Sequence, residues 1–198
     1  MNNPTLYPGL HRSNIAFDNI YPEKVRQLSR HHWTPVAIAR QAAQFLADAP
    51  GRRVLDVGSG VGKFCLVGGH FFPEAFFFGV EQREELYDYA VNARQRLQQR
   101  NVQFIHANFT TLDFDAYDNF YFYNAFFENL DEENRIDHHI EFSESLYVYY
   151  SQYLYNVLDH KPAGTRLVTF HSLEAEVPAG YQVRGASADR MLKMWEKT

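Results

Sequence analysis

The chain has 198 residues, 45% of them hydrophobic and 16% aromatic, with a formal net charge of −5. That length suits one well-buried core and is too short for two full domains, so any cofactor and any substrate are expected to share a single scaffold over 1–198. The acidic balance provides no electrostatic footprint for duplex nucleic acid, and no run approaches 18 apolar residues, so neither a nucleic-acid partner nor a membrane span is expected. The first ten residues lack a basic and apolar leader pattern, which gives the expectation of a cytoplasmic protein.

In chain order, residues 35–46 place Ile38, Ala42, Phe45 and Leu46 on one face of a helix, with Thr34 as its cap and Pro35 at its first position. Residues 53–57 and 76–80 are apolar runs without alternation, the pattern of strands buried on both faces. Residues 62–69 fit a crossover helix between them, and Leu86, Ala90, Ala93 and Leu97 recur at helical spacing after the second strand. Strands follow at 102–106 and 119–124, separated by an Asp-rich connection. Leu146, Tyr150, Tyr153, Leu154 and Val157 form a helical stripe, and a Pro-Ala-Gly turn at 162–164 leads into a fifth strand at 166–171. Residues 181–185 and 191–196 are short, turn-separated and suited to a closing antiparallel pair. Asp131, Glu132 and Glu133 read as a solvated loop or helix start, and the single cysteine, Cys65, reads as core packing.

An open, mostly parallel sheet binds ligands beyond the carboxyl ends of its strands, and the most informative segment lies there. Residues 54–65 read V-L-D-V-G-S-G-V-G-K-F-C, a strand that runs into glycines at 58, 60 and 62. Such a turn brings bare backbone N–H groups close to a ligand. Glu81, 19 residues beyond Gly62 at the end of the next strand, is placed to accept hydrogen bonds from two ribose hydroxyls. The spacing argues against ATP, because Gly58 to Lys63 is one residue short of a P-loop and Phe64 stands where a magnesium-binding hydroxyl belongs. It also argues against a dinucleotide, because Gly62 follows Gly60 by two residues where that fingerprint requires three.

V-L-D-V-G-S-G-V-G with Glu81 resembles the class I S-adenosylmethionine-dependent methyltransferases over roughly residues 34–170. The resemblance implies an α/β, Rossmann-like sheet of seven mostly parallel strands flanked by helices, with 1–50 as an N-terminal helical lid and 51–198 as the cofactor-binding core. It further implies that Asp56, Gly58, Ser59 and Gly60 hold the methionine part of S-adenosyl-L-methionine and that Glu81 takes the ribose. Asn108, in H-A-N-F, falls at the position of the family's adenine-binding Asp, with Phe109 beside it for the adenine face. Many members run a loop across the cofactor before the first core helix, which assigns Thr34 to the methionine carboxylate and Trp33 to pocket closure.

The fourth strand ends in Y-F-Y-N-A-F-F-E, which resembles a degenerate form of the Asn-containing motif of methyltransferases that act on nitrogen. An amide oxygen there orients the N–H groups of a nitrogen nucleophile, and aromatic walls exclude water. Asn124 and Tyr123 are therefore the candidate catalytic residues, with Trp33, Phe126 and Phe127 as pocket walls. Glu128 reads as a solvated loop acid, with proton acceptance as its alternative role. The expected reaction is methyl transfer to a nitrogen nucleophile, with a protein lysine or other amino group favoured over a small molecule. A cofactor-binding module acting through a protein partner and an NAD-dependent oxidoreductase are the alternatives. The adjacent pairs His31–His32 and His138–His139 lack metal-site spacing, so no metal is expected, and G-S-G-V-G lacks a serine nucleophile elbow. The acceptor pocket is expected from loops at 8–34, 125–145 and 172–190.

Overall fold

The computed structural model describes residues 9–131, 135–137 and 140–198; Glu132, Glu133 and the His138–His139 pair lie outside them. Seven strands, β1 (Arg53–Val57), β2 (Phe76–Glu81), β3 (Val102–His106), β4 (Asn119–Phe122), β5 (Arg166–Phe170), β6 (Tyr181–Ala186) and β7 (Leu192–Lys197), make one sheet in the order β3-β2-β1-β4-β5-β7-β6. Strands β1 to β5 pair in parallel, while β7 lies antiparallel between β5 and β6. The chain reaches the sheet edge at β3 and restarts at β4 on the other side of β1. Strand order therefore reverses at β1, which opens a crevice beyond the carboxyl ends of β1 and β4.

Burial on both faces explains the unbroken apolar strands. Val54, Tyr121 and Val168 face one core, closed by α3 (Val36–Leu46), α4 (Lys63–Phe71) and α5 (Glu84–Leu97). Leu55, Phe120, Phe122 and Leu167 face a second core under α6 (Glu144–His160). Tyr121 is fully buried in the middle strand, its ring stacked on Phe64 at 4.0 Å and its hydroxyl 3.0 Å from Thr34 Oγ1, which supplies the polar partner that a buried phenol requires.

Two helices that the sequence reading did not delimit within its N-terminal helical segment precede these elements: α1 (Asn14–Asp18) and α2 (Glu23–His32). In α2 only Val25 is fully buried, so its apolar stripe is too thin to stand out by periodicity. Both helices are tied to the chain just beyond β1. Lys63, 2% exposed, places its ammonium 2.7 Å from Asp18 Oδ1, the Ser29 hydroxyl donates to Asp18 Oδ2 at 2.5 Å, and the Tyr21 hydroxyl donates to the Val61 carbonyl at 2.9 Å.

Several boundaries differ from the sequence reading by a residue or two, and three of them have a visible cause. Helix α3 begins at Val36; Pro35 occupies the capping position with extended ψ of 142°, and Thr34 is engaged by Tyr121, so Thr34 is not the cap. Strand β4 stops at Phe122 and β5 at Phe170, because Asn124 and His171 turn into the left-handed region with φ of 41° and 55°.

Candidate active site

The turn after β1 needs its glycines twice over. Gly58, Gly60 and Gly62 have φ of 78°, 53° and 81°. A Cβ on them would lie 2.4 Å from Ala125 Cβ, 2.7 Å from the Trp33 ring and 2.3 Å from the Phe104 ring respectively. Backbone sign and packing both exclude a side chain there. The turn is fastened to β2: the Gly58 and Ser59 amides both donate to the Val80 carbonyl, at 3.1 and 2.9 Å.

Glu81 completes the fastening. One carboxylate oxygen accepts from the Gly60 amide at 2.9 Å and the other from the Arg83 amide at 2.8 Å, so this side chain shapes the turn and the entry to α5 together. Burial raises its pKa, while the Arg83 amide and charge and the Gly60 amide oppose that rise. The Gln82 amide contributes in the same sense, and the carboxylate keeps acceptor capacity for a hydroxyl from the cleft. Asp56 is buried and is not part of the cleft wall. Burial first and the Glu81 charge after it push its carboxyl well above the ordinary range, with Cys65 Sγ 3.8 Å from Oδ2 as its sulfur partner. Burial and the Asp56 charge raise the Cys65 thiol as well, which keeps it protonated and unreactive. The Ser59 hydroxyl is buried without a hydrogen-bond partner among the described residues, against the position where Gly79 would carry a Cβ.

Over this turn lies a cleft of about 510 Å³, within the roughly 300–1,000 Å³ of small-molecule sites. Gly58, Gly60 and Glu81 form its floor, and Trp33 closes one side. The Trp33 indole is fixed by donation from Nε1 to the Val25 carbonyl at 2.8 Å, so α2 positions the ring that covers Gly60. Ala107 and Phe109 line the far end, where Phe109 stacks on Phe126 with centroids 5.0 Å apart. Asn108 itself caps the short turn after β3. Its Oδ1 accepts from the Thr110 amide at 3.1 Å and the Thr110 hydroxyl at 2.9 Å, and its Nδ2 donates to the Tyr150 hydroxyl at 2.8 Å. An adenine amino group seeking that oxygen must displace the Thr110 hydroxyl. Thr34 likewise stands behind the wall rather than in it.

The other half of the cleft is built by the segment after β4. Tyr123, Asn124, Ala125, Phe126 and Phe127 all line it. Tyr123 donates its hydroxyl to the His31 carbonyl at 3.1 Å, and burial raises its pKa, so it serves as a strut more readily than as a base. Asn124 carries the left-handed backbone that Asn tolerates, and among the described residues its side-chain amide has no hydrogen-bond partner. Phe126 is buried against Phe122 and Tyr150, whereas Phe127 is 45% exposed at the mouth.

Glu128 is not the solvated acid its sequence context suggested. It is largely buried, with Oε2 2.5 Å from Arg83 Nη2 and Oε1 4.0 Å from His32 Nδ1; burial raises its pKa and Arg83 opposes the rise. Arg83 also places Nε 3.2 Å from Asp137, which binds the β2–α5 turn to the loop after β4. Burial, with His31 and Arg83 nearby, lowers the His32 pKa and keeps that ring neutral at pH 7. The sequence reading missed Arg83, His32 and His171. A basic residue two positions after the strand-terminal acid, opposite an acidic loop, was the one available signal for Arg83. Among the described residues no three His, Cys, Asp or Glu side chains gather as a metal site needs.

A family described as a methyltransferase domain matches residues 48–147. No curated protein sequence matches the chain. Its fold is similar to that of TrmN from Thermus thermophilus, with 21% identity and a TM-score of 0.59 over 87% of this chain and 52% of that one. The chain thus spans about half the length of that protein. It is also similar to magnesium protoporphyrin IX methyltransferase (ChlM) from Synechocystis PCC 6803, solved with bound SAM, at 15% identity and a TM-score of 0.58 over 98% and 95% of the two chains. Precorrin-6y C5,15-methyltransferase from Geobacter metallireducens GS-15 aligns at 11% identity and a TM-score of 0.56 over 83% of this chain and 89% of its own.

Proposed function

From the premise that the chain belongs to the methyltransferase domain family, a membership carried by residues 48–147, we propose that it transfers a methyl group from S-adenosyl-L-methionine to a nitrogen nucleophile. An amino group such as a protein lysine is the favoured acceptor. The residues fit the cofactor. Gly58 and Gly60 present backbone to the cleft, the Glu81 carboxylate lines it beside them, Phe109 offers an aromatic face, and Trp33 covers the turn. When bound, the cofactor supplies a methyl group already activated as a sulfonium, so the protein's share of the work is alignment and exclusion of water.

The acceptor reading is carried by one observation: Asn124 follows the carboxyl end of β4, lines the cleft and, among the described residues, has no hydrogen-bond partner for its side-chain amide. Its oxygen accepts an N–H from the incoming nitrogen and leaves the lone pair to point along the line of transfer. Tyr123, Phe126 and Phe127 wall that position, and aromatic faces suit an amine in either charge state. The net charge of −5 favours cationic amines over polyanions.

The test is methylation with radiolabelled S-adenosylmethionine of three acceptor pools: lysine-bearing protein, small primary amines and RNA. Acid-stable N-methyl products from protein or amines are expected. Label confined to base-labile esters, to carbon or to RNA would overturn the amine reading, and binding of NAD in place of S-adenosylmethionine would overturn the cofactor.

A further inference from the structure

Four non-glycine residues among those described have positive φ: Gln98, Asn124, His171 and Arg190. Gln98 ends α5, and Arg190 lies in the β6–β7 turn, where its amide donates to the Ser187 carbonyl; both are ordinary places for such backbone. Asn124 and His171 differ. They follow the carboxyl ends of the neighbouring strands β4 and β5, and both line the cleft. Strain of this kind persists where the surrounding structure fixes a side chain for use. At His171 the restraint is visible: the His171 amide donates to the Met191 carbonyl at 3.0 Å, and the ring packs edge-on to Phe170, centroids 4.3 Å apart, and beside Tyr123 at 5.6 Å. Among the described residues the imidazole nitrogens have no hydrogen-bond partner.

We propose that His171 is the general base that deprotonates the acceptor ammonium before methyl transfer, with Asn124 orienting the nitrogen from the adjacent strand end. The proposal rests on the amino-acceptor reading. A protonated amine has no lone pair, so one N–H proton must leave first. It passes to the imidazole, which becomes imidazolium. The neutral amine then forms the nitrogen–carbon bond as the carbon–sulfur bond breaks, with the bonding pair remaining on sulfur. The methylated nitrogen carries the positive charge, and the imidazolium returns its proton to water.

Arg30, Asp131 and Glu141 also line the cleft, and three further groups on it are committed elsewhere. Tyr123 donates to the His31 carbonyl, Glu128 is paired with Arg83, and the Glu81 oxygens hold two backbone amides. From α2, His31 also lines the cleft, on an ordinary helical backbone, while His32 sits against Glu128 and Arg83. From the β6–β7 hairpin, Asp189 is the charged group whose field His171 shares, opposite an imidazolium formed there.

The decisive measurement is the pH dependence of kcat with a primary amine at saturating cofactor, for the wild type and for His171→Gln and His31→Gln. The wild type is expected to lose rate on acidification, as the base takes up a proton. His171→Gln is expected to fall about 10²-fold or more in kcat and to lose that limb, with S-adenosylhomocysteine affinity and melting temperature unchanged. His31→Gln is expected to keep the limb. Independently of turnover, histidine-labelled NMR of the S-adenosylhomocysteine complex should show the His171 ring resonances move when the amine is added. A limb that survives His171→Gln, or one removed by His31→Gln, overturns the proposal while leaving amine methylation intact. Failure of every amine acceptor alongside turnover of another class overturns the amine reading and this inference with it.

Discussion

Gly60 and Asn124 both hold positive φ on the wall of one cleft, yet their surroundings have little in common. Gly60 lies under Trp33, its amide bound to Glu81, in a turn locked to β2 and, through Lys63 and Asp18, to the first helices. Asn124 opens a segment whose next members run from buried Phe126 to exposed Phe127 and which is held to the core by the ion pairs of Arg83 with Glu128 and Asp137. The cofactor end is thus part of the hydrophobic core, and the acceptor end is attached to it. A fixed ligand needs the first arrangement, while specificity can vary on the second without unfolding the sheet.

The contrast predicts that substitutions at the cofactor end cost stability and those at the acceptor end cost turnover. Asp18→Ala should have the largest effect, about 3–5 kcal/mol in urea unfolding, because it strands the Lys63 ammonium in a buried site. Lys63→Met, which removes the charge and keeps the bulk, should cost far less. Equal losses in the two variants would mean that packing, not the pair, holds the first helices. Gly62→Ala comes next, at roughly 2–4 kcal/mol, from overpacking against Phe104 and a left-handed backbone.

Asn124→Ala should leave stability within about 1 kcal/mol and lower kcat about 10²-fold, with cofactor affinity within about twofold. A matching fall in melting temperature and cofactor affinity would erase the distinction between the two ends. A further effect concerns pH. Asp56 and Glu81 have folded pKa values raised above those of the unfolded chain. Between about pH 4 and those raised values the folded state holds protons that the unfolded chain has released, so stability falls as pH rises through that window and is unaffected below it. Asp56→Asn should flatten the fall, which urea midpoints across pH 4–8 would show.

The cofactor end was legible because its signals are local. The glycine spacing, the apolar strand before it and Glu81 on the next strand lie within 30 residues, and each reflects a backbone or burial constraint that shows in residue type. The acceptor end depends on contacts that sequence spacing does not reveal. Arg83 meets Glu128 across 45 positions, so Glu128 read as a loop acid from its own neighbours. Asn108 was assigned by position alone, and the turn that occupies its oxygen depends on Thr110, a partner that a motif does not require. His171 looked like the last residue of a strand, and only its φ of 55° marks it as something else. Thr34 before Pro35 has the composition of a cap; a buried tyrosine 87 positions away claims its hydroxyl instead.

Cys65 is the chain's one cysteine, fully buried, with its thiol turned toward Asp56 behind the glycine turn and held protonated there. It is therefore a built-in clock for the opening of the cofactor site. A thiol-reactive dye reaches it only when α4 lifts from β1, so the labelling rate at neutral pH measures how often that part of the core opens. Increasing concentrations of S-adenosylmethionine should slow the clock in step with its occupancy, which gives the cofactor's affinity without any knowledge of the acceptor.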